Sequence, residues 1–225
     1  MGKILIIAAH PDDEALGAGG TIIKHIKNGD DVAIVFLATG IYARRYQNKK
    51  MKRDLDNLKI CAKKAAEIMG VKKKNVYFCR FKDNEMDKSS LLEIVRTVEG
   101  FVKKIQPDII YTHHHNDINI DHRITFQAVL TATRPQGKGI KKLLSFEVPS
   151  SSEWNIGRTF SPNVYIDIKD EIGGKIKTLQ AYKSEMRDYP HPRSLEGVKI
   201  LAQHRGLMVG KEYVEAFELI REIKR

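Results

Sequence analysis

Apolar, β-branched runs of strand length alternate with amphipathic stretches along most of the chain, and that alternation predicts an α/β fold. Strands are expected at Lys3 to Ala9, Asp31 to Thr39, Asn75 to Phe81, Asp108 to Thr112 and Leu143 to Val148. Helices are expected between them, at Gly17 to Asn28, Lys52 to Met69, Ser89 to Ile105 and Asp121 to Thr131. Strand, helix, strand repeats of this kind make a largely parallel, Rossmann-like sheet with right-handed crossovers and helices on its faces. Gly29, Gly70 and Pro107 fall where three of those helices must stop.

Beyond Pro149 the pattern changes. A Ser, Asn, Gly and Pro-rich stretch covers Ser150 to Asn163, one more strand is expected at Val164 to Ile168, and helices at Glu171 to Met186 and Ser194 to Leu207. A C-terminal helix is expected over Glu212 to Ile223. No linker divides the chain, so residues 1–225 read as one domain, with a βα core over 1–148 and a segment over 149–225 that completes the rim of a site. A chain of 225 residues that is 42% hydrophobic can bury a core of this kind without disulfides.

In an open parallel sheet ligands bind beyond the carboxyl ends of the strands, and here those ends carry the polar residues. Strand one runs into His10-Pro-Asp-Asp-Glu14, strand two into Thr39-Gly-Ile-Tyr-Ala-Arg-Arg45, strand three into Lys82-Asp-Asn-Glu-Met-Asp87, and strand four into His113 to Arg123. Four loops therefore converge on one rim. The turn at Gly17-Ala-Gly19-Gly20 partly imitates a dinucleotide fingerprint, but it comes well after the strand end and strand two ends without an acidic residue for a ribose. Glycines packed against the sheet explain it more simply.

His10 and Asp13 can supply two ligands of one metal from a single tight turn, and His122 can close the set. Two nitrogens and one oxygen with positions left open is the pattern of catalytic zinc. Asp12 sits beside a ligand but faces differently, as a general base would. Glu14 and Asp121 are placed to orient the ligands. His113, His114 and His115 read individually as solvated residues with no ligand role.

These residues resemble the PIG-L/LmbE family of zinc-dependent N-deacetylases. Ala9-His-Pro-Asp-Asp-Glu14 is similar to its first signature and Asp121-His122-Arg123 to the core of its second; Tyr189-Pro-His-Pro-Arg-Ser194 and Glu215-Ala-Phe217 resemble later family segments. The resemblance implies an LmbE-like fold, His10, Asp13 and His122 as zinc ligands, Asp12 as general base, and hydrolysis of an N-acetyl group on a hexosamine-type sugar that is free, lipid-linked or nucleotide-linked. Many members carry a His where this chain has Asn119. An amide can donate a hydrogen bond to an oxyanion but cannot shuttle a proton, so acid duty would return to Asp12 or pass to Asp117 or a neighbouring His.

Substrate contacts are expected from Asp83 and Asn84 on hydroxyls, Arg44 or Arg45 on a phosphate or carboxylate, Trp154 as a stacking platform or a loop anchor, and His191 and Arg193 on the rim. The formal net charge is +11, but the lysines lie at helix ends and solvent faces without interleaved aromatics, so a solvated surface is expected and nucleic acid is not. Cys61 and Cys79 form no CxxC pair and the N-terminal apolar run is too short for a membrane span, which points to a cytoplasmic protein. The late loops are the segment available for a homo-oligomer contact. Two rival readings remain at this level: a zinc amidase acting on a non-sugar N-acyl or carbamoyl group, and a non-catalytic binding protein, in which the Asp12 carboxylate would have no purpose.

Overall fold

A computed structural model describes residues 1–39, 49–135, 139–157 and 160–224. Seven strands form one sheet: β1 (Lys3–Ala8), β2 (Asp31–Thr39), β3 (Val76–Lys82), β4 (Ile109–His113), β5 (Lys142–Phe146), β6 (Val164–Asp167) and β7 (Val214–Glu222). Their order across the sheet is β3-β2-β1-β4-β5-β7-β6, parallel from β3 through β5 and antiparallel where β7 pairs with β5 and β6. The expected α/β architecture is the observed one.

Among the described residues, six α-helices cover the two faces: α1 (Asp13–Lys27), α2 (Lys49–Ile68), α3 (Leu91–Ile105), α4 (Ile120–Ala132), α5 (Ile172–Ala181) and α6 (Leu195–Leu207). Period-two burial of β1 divides its side chains between two cores. Ile4, Ile6 and Ala8 pack with α1, α2, α5 and α6, while Leu5 and Ile7 pack with α3 and α4. Both faces being covered explains why the strand reads as a continuous apolar run. No helix among the described residues is long and apolar enough to cross a membrane.

Strand order reverses at β1, which pairs with β2 on one side and β4 on the other. A crevice opens beyond the carboxyl ends of strands that diverge in this way. The loops leaving β1 and β4 are those that carry His10 to Glu14 and His113 to His122, so the topology alone brings the two halves of the candidate site together.

The expected C-terminal helix is a strand. Val214, Glu215, Ala216 and Phe217 are all buried, because β7 lies between two neighbours and has both faces covered. A strand buried on both sides shows no alternation, and Glu215 interrupts its apolar run, so periodicity misreads it. Two boundaries also move. Helix α1 begins at Asp13, four residues before the expected Gly17, and α5 ends at Ala181, where turns replace the predicted continuation to Met186. Some of the surface lysines are paired with carboxylates, as at Lys72 with Asp31, Lys141 with Asp108 and Lys142 with Glu222.

Candidate metal centre and catalytic site

The turn from β1 into α1 is closed by its own residues. The His10 N–H donates to Asp13 Oδ2 at 2.8 Å, and Asp12 adopts φ 112° and ψ −30°, a conformation that costs a non-glycine residue energy and is kept at functional turns. Its backbone N–H donates to Glu14 Oε2 at 3.0 Å, and the Tyr182 hydroxyl donates to the other Glu14 oxygen at 2.6 Å. Burial pushes the Glu14 carboxyl up to about 8 despite the bond from Tyr182. Glu14 thus braces the strained Asp12 backbone.

Three ligand atoms converge in this crevice. Asp13 Oδ2 lies 3.4 Å from His10 Nδ1 and 3.4 Å from His122 Nε2. A tetrahedron with bonds of about 2.0–2.1 Å has edges of about 3.4 Å, so this is the spacing of ligands around one small cation, wider than a hydrogen bond. Asp13 Oδ1 and His122 Nε2 are also buried and without a hydrogen-bond partner, which would be costly if nothing were to bind there. Burial by itself would raise the Asp13 carboxyl, but the charge of His122 and the bond from His10 hold it well below the usual carboxylate range. Burial lowers His122, yet Asp13 and Asp117 beside it lift the imidazole to about 9. The pocket favours positive charge at the point a divalent cation would occupy.

Each imidazole is held from behind by carboxylates. His10 turns Nε2 to Asp121 Oδ2 at 2.9 Å and Asp83 Oδ1 at 3.1 Å, leaving Nδ1 for the metal. Asp121 itself accepts the backbone N–H groups of Asn84 at 2.6 Å and Met86 at 3.2 Å. His122 sets Nδ1 3.1 Å from Asp117 Oδ1. Asp117 is in turn held by the hydroxyls of Ser151 and Ser152, the latter at 2.7 Å, and those bonds with His122 keep its carboxyl far below the usual range against the effect of burial. Such partners fix the tautomer and aim of a ligand and typically carry about 10–100-fold of metal affinity. Asp117→Asn is therefore expected to weaken metal binding by roughly that factor with the fold intact, read by chelator competition and circular dichroism.

The profile of the PIG-L family, described as GlcNAc-PI de-N-acetylase, matches residues 5–133, more than half of the chain and the segment holding all three ligand residues. The chain belongs to this family. It is 24% identical over 238 residues to diacetylchitobiose deacetylase of Thermococcus kodakarensis, covering 97% of this chain and 83% of that protein. The structure of N,N'-diacetylchitobiose deacetylase from Pyrococcus horikoshii superposes with a TM-score of 0.80 at 22% identity, covering 97% of this chain and 84% of that one. The 4-carboxy-2-hydroxymuconate hydratase of Pseudomonas putida superposes as well, with a TM-score of 0.79 at 20% identity over 100% of this chain and 98% of that one. A fold shared with a hydratase does not settle the reaction, which has to be argued from the site.

In this PIG-L chain the Asp12 carboxylate, beside the ligand cluster, accepts a hydrogen bond from Arg193, whose Nη1 donates to Asp12 Oδ2 at 2.8 Å. The same guanidinium donates to Ser150 Oγ at 2.9 Å and the Pro149 carbonyl at 3.3 Å, so Arg193, expected on the substrate, is already committed to Asp12, the Ser150 hydroxyl and the Pro149 carbonyl. Burial pushes the Asp12 carboxyl up to about 7 against the lowering effect of Arg193, the range of a group that accepts and returns a proton near neutrality.

Asn119 caps α4: its Oδ1 accepts the Asp121 N–H at 2.8 Å. With the oxygen so fixed, the amide nitrogen faces away from the helix and makes no hydrogen bond among the described residues, as an oxyanion donor requires. Asp117, the expected alternative acid, is turned toward His122 and the two serines instead, behind the ligands. Of Asp83 and Asn84, both expected on sugar hydroxyls, Asp83 is buried and Asn84 is exposed; Asn84 Nδ2 donates to Asp83 Oδ1 at 2.9 Å, the oxygen that also faces His10. Trp154 is 51% exposed and meets the His191 ring edge-on at 5.5 Å, and His191 Nδ1 accepts the Arg193 N–H at 3.0 Å. Arg44 and Arg45 lie outside the described residues.

The solvated reading fails for His113 and His114, both fully buried. His113 stacks on His122 with ring centroids 3.9 Å apart, and its Nε2 accepts the Ala9 N–H at 2.8 Å, which commits that atom to the backbone. Burial brings the His113 imidazole down to about 4, so it packs as a neutral ring. His114 Nδ1 meets Glu218 at 2.7 Å, hydrogen-bond rather than ligand spacing. Sequence reasoning missed Ser151, Ser152, Tyr182 and Lys175, and gave no role to Glu215 beyond its place in a family-like segment. Loop composition hid the serines and apolar periodicity hid Tyr182.

Proposed function

We propose that this chain is a zinc-dependent hydrolase that removes the acetyl group from an N-acetylhexosamine-type sugar, releasing acetate and the free amine, and that it works in the cytoplasm. The observation that carries the reading is the pair of buried histidine nitrogens, each 3.4 Å from Asp13 Oδ2, beside a carboxylate aimed by an arginine, at the switch point of a PIG-L chain. Relatives named as diacetylchitobiose deacetylases support the choice of an N-acetylated sugar.

Zinc bound by His10, Asp13 and His122 would supply a Lewis acid for the amide carbonyl and a more acidic water. Asp12 takes the proton of the attacking water and returns it to the departing amine nitrogen, so one carboxylate serves as base and then as acid. Arg193 keeps Asp12 aimed through both transfers. The Asn119 amide donates to the carbonyl oxygen as negative charge develops on it. Asn119→Ala is expected to lower kcat by about 10²–10³-fold with little change in KM, since the bond strengthens only in the transition state. Steady-state kinetics check this, and a variant as fast as the parent would remove Asn119 from the mechanism.

The reading as a whole is tested by metal analysis coupled to acetate release from a panel of free, lipid-linked and nucleotide-linked N-acetylhexosamines. Zinc-loaded protein is expected to release acetate from at least one. Hydrolysis of a ringless N-acyl amide with none of the sugars touched would replace this function with that of a non-sugar amidase.

A further inference from the structure

Lys175 and Glu215 are a buried ion pair, 3% and 4% exposed, that the proposed chemistry does not use. The geometry points to a positioning role: this pair is spliced into the backbone of α1 and sets the direction of the turn that presents Asp12 and Asp13. In an unbroken helix the Gly20 and Thr21 N–H groups would bond the carbonyls of Leu16 and Gly17. Helix α1 is kinked at Ala18, with φ −142° and ψ 15°, and the opened groups are taken up by side chains. Glu215 Oε1 accepts the Gly20 N–H at 2.9 Å and Oε2 accepts the Thr21 N–H at 2.7 Å. Lys175 Nζ donates to the Leu16 carbonyl at 2.7 Å and to Glu215 Oε1 at 2.5 Å. One ion pair, brought by α5 and β7, therefore bridges the gap in the helix.

A buried pair of this kind is seldom kept for net stability, since apolar replacements are often no worse. Here it holds two halves of one helix at a fixed angle. The first half carries Asp13 and Glu14 and ends at Gly17, where any Cβ would run into the Phe146 ring. Phe146 packs on His113 at 4.9 Å, and His113 stacks on His122. The first turn of α1 is thus wedged between the ion pair on one side and the ring stack of the second ligand on the other. A change in the kink angle would move Asp13 relative to His122.

This role rests on the metal-centre reading, and the test separates the two. Lys175→Met/Glu215→Gln removes both charges and so avoids an uncompensated buried ion; Val98→Ala, in the core on the opposite face of the sheet, serves as a control for general destabilisation. All are compared well below their melting temperatures, by zinc affinity from chelator competition, by the visible spectrum of the cobalt(II)-substituted protein and by the split of kcat from KM. The double variant is expected to bind zinc about 10–100-fold more weakly and to shift the cobalt spectrum, with kcat reduced and KM little changed, while Val98→Ala does none of these. Parental affinity and spectrum in the double variant, or equal changes in Val98→Ala, would overturn the positioning role. A parent that binds neither metal would overturn the metal centre itself.

Discussion

Replacing Asp12 with Asn is expected to leave the metal in place while turnover falls by about 10²–10⁴-fold, the usual worth of a general base. The geometry separates these two effects. Asp12 contributes no atom to the 3.4 Å ligand cluster, and its carboxylate is turned to Arg193 at 2.8 Å. An Asn of the same shape can still accept from Arg193, so the turn should keep its form, but an amide cannot take a proton from water. The loss should fall on kcat, with KM little changed, because proton transfer belongs to the transition state. Metal content by elemental analysis and steady-state kinetics on the same preparation decide the matter. Equal loss of metal and activity would make Asp12 a ligand and require the roles of Asp12 and Asp13 to be exchanged.

The candidate ligand residues could be picked out from the sequence because their spacing is local. A histidine and an aspartate three positions apart at a strand end can meet in one turn whatever the rest of the chain does, and His122 follows from the next strand that borders the crevice. The five strands from β1 to β5 were legible for a related reason, since each is an apolar run between helices of ordinary length. What escaped reading depends on distant partners. Nothing in Ser151 and Ser152 distinguishes them from loop serines until β5 and the 149–157 loop bring them onto Asp117. Arg193 reads as a rim arginine until it is seen to face Asp12 across 181 positions of sequence. Glu215 misled as a charge inside β7, where it broke the strand pattern, whereas the glycine-rich segment was read correctly as packing, since a Cβ at Gly17 or Gly20 would run into Phe146 or Ile168.

His10→Ala, Asp13→Ala and His122→Ala are each expected to lose the metal more completely than Asp117→Asn, because they remove a ligand where the latter only loosens one. Loss of an orienting partner costs about 10–100-fold in affinity, and a three-ligand site reduced to two should fall below that range. The three should differ in their effect on the fold. His122→Ala leaves Asp117 with both serine hydroxyls, and His10→Ala leaves Asp121 with the Asn84 and Met86 N–H groups, so neither buried carboxylate is orphaned. Asp13→Ala removes the acceptor of the His10 N–H, which closes the turn, and takes away the charge opposite His122. It should therefore lower the melting temperature most, even without metal. Equilibrium dialysis against zinc followed by elemental analysis gives the first ordering, and thermal unfolding of the metal-free proteins gives the second. Stoichiometric zinc in all three variants would mean that the cluster is a hydrogen-bonded core of histidines and carboxylates, and the site would have to be sought elsewhere in the crevice.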